Sequence, residues 1–84
     1  MGKQSKPVWK DDDRVSSLFI QHEERGRVVR RTSEAGLPQA LAMYWTEDAK
    51  SEATEDQLFT GPDAVTQAKA WVERKLKIST RRVL

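Results

Sequence analysis

Apolar positions divide the chain into a β-patterned front and one helical end. Val65, Ala68, Val72 and Leu76 recur at helical spacing, and Ala64 and Trp71 widen that stripe. Pro62 suits a first helical turn, where a missing N–H costs nothing. Thr60 and Asp63 have the spacing of a capping box. Asp63 at the start and Arg74, Lys75 and Lys77 at the end complement the helix dipole. The pattern predicts an amphipathic helix over 62–77, whose stripe must be buried by the residues before it.

Those residues read as strands. Val15 to Ile20 is rich in β-branched and aromatic side chains, and a first strand is expected within 14–24. Arg25-Gly26 supplies the expected turn, with Gly26 the residue best able to take positive φ. Arg27 to Thr32 is the return strand. Gly36 and Pro38 mark a loop. Residues 39–46 fit a strand or a helix, with strand preferred, because a polar turn at 47–52 lets 53–59 run back beside it. The expected core is Leu18, Ile20, Val29, Leu41, Met43, Leu58, Phe59, Val65, Ala68, Val72 and Leu76, with Trp71 at its rim. Phe19, Val28, Tyr44 and Trp9 are expected on the other face of the sheet.

This gives an α+β fold: an antiparallel meander of three or four strands with one C-terminal helix on one face. Residues 1–13 read as a flexible arm, 14–78 as the domain and 79–84 as a basic tail. At 84 residues the chain suits one small domain with a thin core. It has no cysteine, which removes disulfides and thiolate metal sites and suits a reducing, cytoplasmic setting. The longest apolar run, Ala40 to Trp45, is far too short to span a membrane. Residues 1–6 lack the apolar segment expected of a signal peptide.

The net charge of +2 conceals three blocks. Residues 1–46 carry eight basic and six acidic side chains, residues 47–63 one and six, and residues 64–84 six and one. One reading of this asymmetry is helix-dipole compensation and solubility; the other is a polarised surface that docks on a charged partner.

Candidate chemistry is sparse. His22, the single histidine, stands beside Glu23 and Glu24 at a strand end, without a nucleophile in an elbow setting. Asp11-Asp12-Asp13 lacks the spaced oxygens of a calcium loop. The glycines form no phosphate-binding pattern. No enzyme activity, cofactor or metal is therefore expected. Basic residues offer more. Arg25, Arg27, Arg30 and Arg31 crowd the hairpin, Lys75, Lys77, Arg81 and Arg82 crowd the C-terminus, and Tyr44 and Trp45 could stack on bases.

The run Leu58-Phe59-Thr60 into a helix with Ala64, Ala68 and Trp71 loosely resembles the arm-type DNA-binding modules of tyrosine recombinases. The resemblance covers about half the chain and rests on Phe59, Ala68 and Trp71. It implies a three-stranded sheet with a C-terminal helix. The basic first-strand motif expected of that family is missing, because Asp11-Asp12-Asp13 stands there. The first functional expectation is a non-catalytic protein-binding module, a regulator or inhibitor that occupies the surface of another protein or pairs with itself. Arg27, Arg30, Arg31, Tyr44 and Trp45 would contact the partner. The alternative is a nucleic-acid binder using Arg25, Arg27, Arg30, Arg31, Lys75, Lys77, Arg81 and Arg82.

Overall fold

The computed structural model describes residues 6–46 and 53–78. Five strands, β1 (Val8–Asp11), β2 (Val15–Ile20), β3 (Glu23–Thr32), β4 (Pro38–Tyr44) and β5 (Glu55–Thr60), precede one helix, α1 (Ala64–Leu76). The strands form an antiparallel meander in sequence order, with β3 in the middle. The α+β class and the C-terminal helix agree with the sequence pattern, whereas the sheet has one strand more than expected. The extra strand is β1, in a segment that reads as an arm. Trp9 holds it down: its indole N–H donates to Glu73 Oε2 at 2.9 Å, and the ring packs against the core. Residues 47–52, expected as a turn, and 79–84, expected as a tail, lie outside the described residues.

The first hairpin turns earlier than expected. Gln21 and His22 link the paired residues Ile20 and Glu23, with φ of 54° and 71°. Positive φ at both positions is the two-residue turn whose twist matches that of its strands, here built without glycine. Gly26 is inside β3, paired with Leu18 on one side and Tyr44 on the other. A Cβ at Gly26 would come within 2.6 Å of Val72 Cγ1. The glycine is required for the close approach of α1, and the expected turn at Arg25-Gly26 is corrected on that ground.

Helix α1 lies chiefly on β4, then on β5 and β3. The face beneath it is made of small residues. Ser16, Gly26, Ala40 and Ala42 line the sheet side, and Ala64 and Ala68 the helix side; Ser16 and the four alanines are almost fully buried. Leu18, Val28 and Val72 fill the centre. Trp71 closes the β4–β5 side, edge-on to Tyr44 at 5.6 Å and to Phe59 at 6.3 Å between centroids. The expected parity is therefore inverted on β3 and β4. Val28, Ala40, Ala42 and Tyr44 point to the helix, while Val29, Leu41 and Met43 take the opposite face together with Leu58. Trp9 also packs on the helix side, and of the residues expected opposite the helix Phe19 alone is there.

The helix ends also differ from expectation. Thr60 closes β5, and its hydroxyl accepts from Gln39 Nε2 at 3.2 Å. Asp63 is the N-cap residue but makes no side-chain cap, so the capping box does not form. At the other end Lys77 adopts a left-handed conformation, with its N–H on Arg74 O and that of Ile78 on Glu73 O. This is a Schellman-type stop made without glycine.

Gly26→Ala should destabilise the domain by about 1–3 kcal/mol, because the methyl overpacks against Val72. Combining it with Val72→Ala should cost less than the sum of the single changes in urea titrations. Strictly additive losses would show that the two residues do not meet.

Candidate functional site

Pairing between strands determines which side chains share the sheet face that α1 leaves open. One cross-strand row there is apolar from end to end: Val15, Val29, Leu41 and Leu58 on β2, β3, β4 and β5. Leu58 is 46% exposed, and Val15, Val29 and Leu41 are part-exposed. The next row reads Lys10, Ser17, Arg27, Met43 and Asp56, one residue from each strand. Val8 and Phe19 pair beyond it, with Lys10 Nζ over the Phe19 ring at 5.2 Å from its centroid. The result is an apolar band with charge at its margins.

The basic residues singled out in the sequence do not form one patch. Arg27 is on the open face, bound to both carboxylate oxygens of Glu24 at 2.8 Å. Its guanidinium also lies over Trp45, 5.4 Å from the ring centroid. These contacts pair the charge of Arg27 with Glu24 and set its guanidinium against Trp45. Arg30 points the other way and ties the β1–β2 turn to β3, donating to the Asp12 and Asp13 carbonyls and to Ser16 Oγ. Ser16, fully buried, passes its own hydroxyl hydrogen to Asp11 Oδ1 at 2.6 Å. Arg31 is at the far end of β3, in a shallow depression lined also by Asp13, Arg14, Arg30 and Thr32. Tyr44, expected at the partner surface, is buried beneath α1, where its hydroxyl donates to Glu55 at 2.9 Å. Tyr44 is therefore removed from the candidate surface, and Arg30 is a structural tie.

Arg25, Lys75 and Lys77 do meet. With Trp45, Ile20 and Leu76 they line a groove of about 340 Å³ between the hairpin turn and the end of α1. Arg25 bonds Glu23 at 2.8 Å, and Lys75 reaches Glu55 at 3.3 Å. Arg27 stands on the open-face side of Trp45. Arg81 and Arg82 lie outside the described residues. Among the described residues no cluster of three or more His, Cys, Asp or Glu side chains could hold a metal ion, and no helix is long and apolar enough to cross a membrane.

The apolar row was missed in the sequence because Val29, Leu41, Met43 and Leu58 read as core. The available signal was the small size of Ala40 and Ala42 opposite Ala64 and Ala68, which lets the helix sit on the alanine side.

Among the described residues three carboxyls are held below their ordinary range. Hydrogen bonds from Arg27 do this to Glu24, from Ser16 and Lys69 to Asp11, and from Tyr44 and Lys75 to Glu55. Their folded-state values are depressed, so their contribution is complete above the unfolded values, near pH 4–4.5, and is lost as pH falls through the folded ones. Thermal stability should be flat from about pH 7 to 5 and decline below about pH 4.5. Glu24→Gln should make that decline shallower; an identical pH profile in the variant would show that the Arg27–Glu24 pair contributes nothing.

Comparison of the chain with protein-family models, curated proteins and solved structures returns no match.

Proposed function

We propose that this chain is a non-catalytic protein-binding module, a regulator or inhibitor that acts by covering a partner's surface with its open sheet face. The observation that carries this reading is the continuous row Val15, Val29, Leu41 and Leu58 on the side away from α1. A domain this small already places its helix, its two packed tryptophans and its alanines on the other side. An apolar face rimmed by polar groups is the usual form of a protein contact surface. The charged neighbours Lys10, Glu24, Arg27 and Asp56 supply the polar rim. The cytoplasm is the proposed setting, in keeping with the cysteine-free sequence.

A second reading draws on the groove, where Arg25, Lys75 and Lys77 converge on Trp45. A stacking ring beside cations suits a single-stranded nucleic acid. Lys75→Glu with Lys77→Glu should then abolish oligonucleotide binding, and wild-type affinity should fall steeply with salt.

The sheet-face reading is tested by placing a photo-crosslinking residue at Leu58 or, as control, at Gln67 on the exposed side of α1. Adducts with protein should form from position 58 and be lost on Leu41→Asp, in protein shown by circular dichroism to be folded. Equal adducts from both positions, or none from position 58, would refute it.

A further inference from the structure

The geometry points to a second copy of this chain as the occupant of the open sheet face, an inference that rests on the sheet-face reading above. Three observations favour face-to-face self-pairing about one particular axis.

The edges are closed to strand addition. β1 has four residues, including Lys10 and Asp11, and β5 opens with Glu55 and Asp56. Charges on short edge strands discourage pairing with the edge of another chain. The face has no such barrier along its apolar row.

Charge selects the axis. Lys10 and Asp56 occupy the same cross-strand row at opposite margins of the sheet, two strands either side of β3. Among the described residues neither forms an ion pair within the chain. A two-fold axis parallel to β3 lays β1 of one copy over β5 of the other. Lys10 then meets Asp56 of the second copy, and symmetry makes this happen twice. In the apolar row Val29 meets its own counterpart on the axis, and Leu41 meets Val15 of the second copy. A two-fold perpendicular to the strands would stack β1 on β1 and β5 on β5, like charge on like. Arg27 is neutralised by Glu24 within its own chain. Arg31, near the end of β3, can direct its guanidinium outward at the rim. Two sheets so stacked would be about 10 Å apart with strands within about 30° of alignment.

Area sets the strength. Five strands about 4.8 Å apart and roughly 20 Å long present on the order of 500 Å² per copy. The pair would bury about 1,000 Å², the lower bound for a specific interface. A dissociation constant on the order of 1–100 µM is expected.

Analytical ultracentrifugation of the full chain across about 1–500 µM is the test. The mass should rise from 9.6 kDa towards twice that value. Lys10→Asp and Asp56→Lys should each weaken the dimer about tenfold, and the double exchange should restore it. Both positions are at the margins of the sheet, so these variants avoid the core. Val29→Asp should leave a monomer. A monomer throughout the range overturns the inference, as does a dimer insensitive to these changes or an exchange without rescue. If the chain is monomeric while Leu58 crosslinks to a different protein, self-pairing falls and the sheet-face reading stands. If it is monomeric with no adduct at Leu58, both fall.

Discussion

The contact between Val72 and Gly26 determines how closely the helix can approach the sheet. At the centre of a central strand the chain has no side chain, and Val72 descends into the space between Leu18 and the β3 backbone. A helix seated this low needs small neighbours around the contact, and Ser16, Ala40, Ala42, Ala64 and Ala68 provide them. Ser16 is a polar member of this layer, tolerated because Asp11 and Arg30 satisfy its hydroxyl. The core is consequently shallow, and its largest component is Trp71, which spans from Tyr44 to Phe59 at the side. Cohesion comes from close approach of backbones with a few large side chains around them.

The same contact accounts for the aliphatic face left open. Strand alternation forces a choice between Ala40/Ala42 and Leu41/Met43, because neighbouring side chains point to opposite faces. Reading by hydrophobicity alone selects the leucine and methionine, and goes wrong on β3 and β4 together because they are in register. The helix is amphipathic, as its spacing indicates, but small residues make up much of its buried stripe. Volume complementarity across the interface overrides the hydrophobicity of individual residues. It consigns Val29, Leu41 and Leu58 to the outer face, which is how the candidate surface arises.

Legibility varies with the range of the interactions involved. The helix and the antiparallel meander were readable, because each depends on local periodicity; residues 39–46 fit a strand or a helix by that measure, and the strand found there was favoured only by the segments that follow it. The turn at Gln21-His22 was not, since neither residue advertises positive φ and Gly26 is a stronger local signal. Strand β1 was also hidden: four residues ending in acids look like an arm until Trp9 is seen bonded to Glu73, distant in sequence. The absent capping box follows the same logic. Gly61, at φ of 124°, turns the chain out of the sheet after Thr60 has already found Gln39 across the ladder.

Charge shows most plainly how tertiary structure redirects sequence patterns. The basic and acidic blocks suggest a polarised molecule, yet folding joins many of their members across the chain. Lys69 reaches Asp11 and Lys75 reaches Glu55, while within the first block Arg27 clasps Glu24 and Arg30 is taken up by the carbonyls of the β1–β2 turn. Several of these pairs are part-exposed and add little stability individually. Their effect is on the outer surface, where they neutralise much of what would otherwise be a uniform field. With Arg27 and Arg30 engaged, the hairpin no longer presents the arginine cluster that its sequence implies. What distinguishes the open face is then its aliphatic row, with Lys10 and Asp56 at the two margins. Binding there should be governed by apolar area, with charge setting orientation.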